Sequence, residues 1–373
     1  MCDVMSLGYC ILCKKVRSSW LIFVALSLVA SMLKVSLKHT TVLHQRLYIS
    51  NSNTRRLAAT NTLWNSSSFN DVTSKELSIP VANITLPNED YYFVIEADGN
   101  RGLGNCLFKL ASLTGIAAIG DKQLAFAFDT KVNKYFNLNI TTHFRKFKRP
   151  KPELVVEGLI ARYNPDVLNA RFLAADVAMK GYFQSWKYFR NVTSTVRAML
   201  TFKPHIKREA QKILDNQRRL YFEREKRKPI LVAIHVRRGD ILEERRIRHG
   251  FVTPPKEYYF NAMTYFIRKF ANEHILFVVT SNDIAWAQDN IEPLAGTYTD
   301  VKFMSRDNSE GLDLAIMASC DHVIMSVGTF SWWAAWLANG LTVYYDKWPE
   351  ANSLFRRKIV REDFFLPEWI PMH

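Results

Sequence analysis

Ile230-Leu-Val-Ala-Ile-His-Val-Arg-Arg-Gly-Asp240 is the stretch from which the fold can be read. An apolar, β-branched run follows Pro229 and stops abruptly at His235, Arg237, Arg238 and Asp240. A short run with no polar alternation is buried on both faces, so it predicts a strand inside a parallel sheet. Ligands of open α/β sheets sit outside the carboxyl ends of such strands. Guanidiniums there offer paired N–H donors to a diphosphate, which points to a phosphorylated ligand such as a nucleotide-sugar. Successive strand side chains alternate faces, so Arg237 and Arg238 are expected in different roles, with His235 and Arg237 on one face.

Downstream of this strand the pattern is regular. Strands are predicted at 275–280, 301–304, 322–327 and 341–345, with helices at 254–272, 283–291, 312–320 and 330–338 between them. Strands alternating with short helices give a doubly wound parallel sheet. Upstream, a strand at 91–97, a glycine-rich loop, a helix at 105–119 and a strand at 124–128 open a second unit of the same kind. Its loop, Gly99-Asn-Arg-Gly-Leu-Gly-Asn105, lacks dinucleotide-fingerprint spacing, but its glycines allow close approach of a ligand to the helix start. Asn105 is placed there either as a helix cap or as a ligand donor. A third cluster, Asp313 to Trp336, contains a strand–helix turn at Ser326-Val-Gly-Thr-Phe-Ser331, whose small hydroxylated residues suit phosphate or a sugar. Trp332, Trp333 and Trp336 read as core. Among the carboxylates, Asp240, Glu243, Glu244 and Asp283 are candidates for a general base, with a solvated loop as the alternative for Glu243 and Glu244.

The 373 residues carry a formal charge of +15, with 48% hydrophobic and 23% charged residues, ample for a large core in one or two domains. A basic chain raises nucleic acid as a partner, but the N-terminus argues otherwise. Ser18 to Leu33 carries no charge and is flanked by Lys14, Lys15 and Arg17 before and Lys34 and Lys38 after. At ~1.5 Å per residue it spans roughly 24 Å, which flanking lysines and apolar Val35 and Leu37 extend toward a ~30 Å hydrocarbon core. The preceding positive charges favour a cytoplasmic N-terminus. Residues Ser50 to Asn88 are rich in Asn, Ser and Thr, as expected of a stem. Asn65, Asn83, Asn139 and Asn191 each head a glycosylation sequon, which agrees with a lumenal body. Cys2, Cys10 and Cys13 fall on the cytosolic side; Cys106 and Cys320 are either one disulfide or two free thiols. There is no Asp-x-Asp pair to hold a divalent metal, which suggests that arginines neutralise a leaving diphosphate.

Several motifs, in order, resemble one family. Gly102-Leu-Gly-Asn105, Gly181-Tyr-Phe-Gln-Ser-Trp-Lys-Tyr-Phe189, His235-Val-Arg-Arg-Gly-Asp240, Ser281-Asn-Asp283 and the run from Ser319 to Ala338 are similar to the α-1,2-fucosyltransferases of glycosyltransferase family 11, nematode members most of all. The resemblance covers about residues 91 to 348. It implies a GT-B-like fold of two Rossmann-like doubly wound domains with a cleft between, following a transmembrane signal-anchor and stem. It implies GDP-fucose as donor, inversion at the fucose carbon, no metal, and most readily the 2-hydroxyl of galactose as acceptor. Arg237 would bind the diphosphate, with His235 and Asp240 shaping the site and Arg238 supporting it. Gly104 and Asn105 would face the donor across the cleft, and Gly328, Thr329 and Phe330 would lie at the nucleotide. The family's common glutamine is Cys106 here, and an aromatic residue often found after the Arg-Arg-Gly-Asp run is Ile241; both departures bear on acceptor choice.

The expected organisation is a cytoplasmic tail at 1–17, signal-anchor at 18–37, stem at 38–88, N-terminal Rossmann-like domain at 89–228 and donor-binding domain at 229–373. The expected setting is the Golgi membrane, single-pass type II, with the catalytic part lumenal. Expected partners are GDP-fucose, a galactose-containing glycan and the membrane, not nucleic acid, with a homodimer left open. The rival readings are a fucosyltransferase with another acceptor position or a protein acceptor, and a non-catalytic paralogue that binds glycan or GDP.

Overall fold

The computed structural model describes residues 92–95, 102–120, 123–126, 131–138, 153–169 and 177–373. All fall within one compact unit, Leu86–His373. The expected tail, anchor and stem, and the sequons at Asn65, Asn83 and Asn139, lie outside the described residues. Among the described residues no helix is long and apolar enough to cross a membrane.

In the first half, β1 (Tyr92–Ile95), α1 (Leu103–Ile119), β2 (Gln123–Phe126), α2 (Lys131–Tyr135), β3 (Glu153–Val156) and β4 (Val177–Lys180) build a parallel four-stranded sheet ordered β2-β1-β4-β3. Two helices follow, α3 (Thr193–Met199) and α4 (Pro204–Glu225). Pro204 starts α4 where its missing N–H costs nothing. Ile206, Ala210, Leu214 and Tyr221 form its buried stripe, and Lys226 ends it in the left-handed conformation.

The second half comprises β5 (Ile230–Val236), α5 (Glu244–His249), α6 (Lys256–Lys269), β6 (Ile275–Ser281), α7 (Ile284–Asn290), β7 (Thr299–Phe303), α8 (Glu310–Ala318), β8 (His322–Ile324), α9 (Thr329–Ala338), β9 (Thr342–Tyr345), α10 (Leu354–Lys358), α11 (Arg361–Phe364) and β10 (Ile370–Met372). Its six parallel strands are ordered β10-β9-β8-β5-β6-β7. β5 is flanked on both sides, by β6 and β8, which is why its sequence is apolar throughout. Leu231 and Ala233 face one core with α8, α9 and α1; Val232, Ile234 and Val236 face another with α6 and α7. Asp283 and Ser309 cap α7 and α8 by accepting from the backbone N–H of Trp286 and Leu312. The two sheets are the pair of parallel α/β units that a GT-B-like fold requires.

One aromatic core joins the halves. Phe108 on α1 lies 4.4 Å from Trp332 and 5.2 Å from Trp333 on α9, between ring centroids, and Phe189 stacks on Trp333 at 5.8 Å. Trp332 and Trp333 are fully buried, in keeping with a core role. The chain end returns to the first half. The Asp363 carboxylate accepts from Tyr163 N (2.8 Å) and Lys187 Nζ (2.6 Å), while Ser185 Oγ donates to the Asp363 carbonyl (2.6 Å). Strand β10 was not legible in the sequence: it is three residues long, contains Pro371 and forms a sheet edge, where proline is tolerated. Cys320 is a buried thiol outside any disulfide.

Candidate functional site

The strand order of the second sheet fixes where a ligand belongs. From β5 the chain moves outward through β6 and β7, then returns to place β8 on the other side of β5. The crevice between the carboxyl ends of β5 and β8 is therefore the switch point of the sheet. Arg237 follows β5, and Ser326-Val-Gly-Thr329 follows β8. Arg237 N donates to Ser326 Oγ at 3.1 Å, so the two sequence clusters meet there.

The two arginines, just past the end of β5, part to different partners. Arg238 turns toward β6: its N donates to Asn282 Oδ1 (2.9 Å), its Nε to Asp283 Oδ2 (3.2 Å), and its guanidinium lies 4.2 Å from the Trp286 ring. Gly239 adopts φ +40°, and a Cβ there would strike the Asn282 amide. The Ser281-Asn-Asp283 motif is thus the brace of Arg238 and Gly239. Asp283, a base candidate in the sequence, caps α7 and pairs with Arg238.

Arg237 stays at the crevice. Its Nη2 pairs with Asp240 Oδ1, and Asp240 Oδ2 is paired with Arg246 Nη2 at 3.0 Å. Each Asp240 oxygen is thus held by one guanidinium, the geometry of a group that orients two cations. Glu243 and Glu244 are exposed. His235 lies behind Arg237, 5% exposed, its ring 5.3 Å from Phe330 and its Nδ1 without a hydrogen-bond partner. Burial, then the charge of Arg237, pushes its pKa down to about 3, so the ring is neutral.

The turn after β8 has its own logic. Gly328 sits at φ +87° with open space where a Cβ would be, so conformation alone demands glycine. It opens α9 without a side-chain cap. The first N–H groups of this ten-residue helix are left for another acceptor, at the end where an anion is favoured. Thr329 Oγ1 donates to Asn105 Oδ1 (2.8 Å), which also accepts from Gln184 Nε2 (2.9 Å). Asn105 is therefore inside α1 rather than a cap, and its carbonyl oxygen ties the glycine-rich entry of the first half to the turn of the second. Gly104 lies against the Thr329 backbone.

The segment Gly181 to Phe189 supports this junction. Gly181 packs on Glu157, whose carboxylate accepts from Tyr182 N (3.2 Å) and Phe183 N (2.9 Å). Burial pushes the Glu157 pKa up to about 7 and that of Asp313, on α8, to about 6. Arg246, Asn282, Gln184 and Glu157 were not singled out from sequence, whereas Ser326 opened the hydroxylated turn read there. Only the placement of Asn282 and Gln184 inside named motifs could have marked them. The sequon residue Asn191 is exposed.

The sequence pattern described as Glycosyl transferase family 11 matches residues 170–373, more than half of the chain. The chain belongs to this family. It is 37% identical over 195 residues to galactoside alpha-(1,2)-fucosyltransferase 1 of Saimiri sciureus, covering 52% of this chain and 51% of that protein. The counterpart from Ateles belzebuth is 36% identical over the same length and coverage. The chain thus spans about half the length of the curated relatives it matches. Distant structural likenesses include an Arabidopsis thaliana FUT1 mutant in complex with GDP, at 13% identity and TM-score 0.44, covering 69% of this chain and 70% of that one. POFUT1 in complex with GDP-fucose is similar at 12% identity and TM-score 0.44, covering 67% and 95%.

Proposed function

We propose that this protein transfers L-fucose from GDP-fucose to the 2-hydroxyl of a galactose residue, with inversion and without a metal ion. The observation that carries the reading is the meeting of Arg237 and the uncapped start of α9 at the switch point of a family 11 chain. The names of the relatives support the sugar, the position and the acceptor.

In the reaction the acceptor oxygen forms a bond to the fucose anomeric carbon as that carbon's bond to the diphosphate oxygen breaks. The electron pair leaves with GDP, and the acceptor proton passes to solvent or to the leaving phosphate. Negative charge grows on the diphosphate, where Arg237 and the α9 N–H groups act. Loss of one such donor typically costs ~10²–10³ in rate. Neutral His235, packed under Phe330, shapes the donor side, and Arg238, braced by Asp283 and Trp286, holds the turn. Metal independence is supported by the arginines at the leaving group and by the lack of an Asp-x-Asp pair.

The uncharged Ser18–Leu33 segment and the four sequons support a type II Golgi membrane protein with a lumenal catalytic part. Cys106 and Ile241 favour a second reading, the same donor with a different acceptor hydroxyl. The deciding experiment offers the full chain GDP-fucose with a galactoside and its 2-deoxy analogue, with and without EDTA. Transfer to the galactoside alone, unaffected by EDTA, is expected. Equal transfer to both acceptors refutes the 2-hydroxyl assignment, and loss in EDTA refutes metal independence.

A further inference from the structure

Arg246 lies in a charged run, Glu243-Glu-Arg-Arg-Ile-Arg-His249, whose acids read as part of a solvated loop. The structure sets it apart from its neighbours. Its Nη2 sits 3.0 Å from Asp240 Oδ2, while Arg237 holds the other oxygen of the same carboxylate. Arg237, Asp240 and Arg246 have side chains 34%, 32% and 36% exposed, so all three reach both the protein interior and solvent. Asp240 faces both guanidiniums with a single negative charge. Each guanidinium has five N–H donors, and Asp240 takes a single contact from each. The Arg246 Nε is buried without a hydrogen bond; the Glu243 carboxylate lies 4.0 Å from it and is more than half exposed. The guanidinium plane is further steadied by the Phe251 ring, 5.5 Å from its centre. Two pre-oriented guanidiniums on one carboxylate spacer match an anion with several oxygens on adjacent centres, and a diphosphate has that form.

We infer that Arg246 is a second contact for the donor diphosphate, held beside Arg237 by Asp240. This rests on the nucleotide-sugar reading of the site. Asp240 is then a positioning residue, and its removal disorganises both cations at once. Arg245, one residue away and exposed, has no such part.

The test measures binding of GDP, guanosine and inorganic pyrophosphate to the full-length protein by calorimetry, in the wild type and in Arg246→Ala, Arg246→Lys and Arg245→Ala. Loss of charge-assisted hydrogen bonds predicts about 10–100-fold weaker binding of GDP and pyrophosphate in Arg246→Ala. Guanosine affinity stays unchanged, the lysine variant is intermediate, and Arg245→Ala matches the wild type. The salt dependence of GDP affinity becomes shallower in Arg246→Ala, because one cation fewer meets the anion. A merely structural Arg246 would weaken guanosine and GDP in parallel, and that result, or unchanged GDP affinity, overturns the assignment. If the wild type binds pyrophosphate without preferring GDP, the nucleotide reading fails, yet an Arg246-dependent pyrophosphate affinity still upholds the clamp. A wild type that binds neither overturns both.

Discussion

Gly104→Ala is the sharpest perturbation of the junction between the two halves. A Cβ at this position would lie 2.6 Å from the Thr329 carbonyl carbon and 2.7 Å from both its carbonyl oxygen and Oγ1. Reaching an ordinary 3.4 Å contact therefore requires α1 and Thr329 to separate by about 0.8 Å, the difference between 3.4 and 2.6 Å. Backbone atoms are struck, so no side-chain rotation relieves the clash. Overpacking of this kind costs about 1–3 kcal/mol. Alanine's better helix propensity returns up to ~1 kcal/mol, because Gly104 is helical. The net loss of stability is thus modest, ~0–2 kcal/mol. The effect on transfer is larger. The shift stretches the Thr329–Asn105 hydrogen bond and moves the start of α9, and a displacement near 1 Å in a positioned site costs ~10² in rate. The assay compares kcat/KM for fucose transfer with thermal unfolding in Gly104→Ala and in Gly102→Ala, where nothing lies within 4 Å of the added methyl. Activity falling about a hundredfold with a shift of only a few degrees in Tm, and a near-normal Gly102→Ala, is the expected pattern. Full activity in Gly104→Ala refutes the view that this contact sets the donor turn.

Other consequences follow from the same geometry. Asn105→Ala strands the Thr329 hydroxyl and the Gln184 amide; stability measured by denaturant should drop by about 1–3 kcal/mol, with a larger proportional loss of transfer. Arg197→Ala removes a guanidinium that caps the carboxyl end of α9 through the Trp336 and Leu337 carbonyls and stacks on Trp336 at 4.1 Å; hydrogen exchange should quicken in the last turn of α9 first. The Glu157 carboxyl is raised by burial from 4.5 to about 7, so the folded state holds its proton more tightly than the unfolded one. Its stabilisation is complete below pH 4.5 and is lost as pH rises through 7. Glu157→Gln should therefore flatten the decline in stability between pH 5 and 8.5, by up to ~3 kcal/mol in unfolding experiments, and an unchanged pH profile would count against the buried carboxyl.

How much of this was legible in the sequence depended on the range of the interaction. β5 was read residue for residue, because a strand flanked on both sides must be apolar throughout and Pro229 marks its start. The helices around it were placed within a few residues, since one buried stripe sets each period. Shorter pieces escaped: α5, α10 and α11 are four to six residues long and held by neighbours rather than by their own pattern. At the site, the positions of Arg237, Arg238 and His235 at the end of β5 followed from the reading of that strand. The engagement of Asp240 did not, because its second partner, Arg246, sits in a run whose acids read as part of a solvated loop. The Asn105–Thr329 hydrogen bond spans 224 residues, and no local pattern reports a contact at that distance.

The role of Arg237 at the leaving diphosphate is tested most directly by fucose transfer from GDP-fucose to a galactoside by the full chain, compared with Arg237→Ala. The wild type should release GDP and form an α-1,2-linked product, with the variant slower by ~10²–10³ while remaining folded. Transfer by Arg237→Ala at the wild-type rate, or no transfer by a folded wild type that binds GDP, would contradict it.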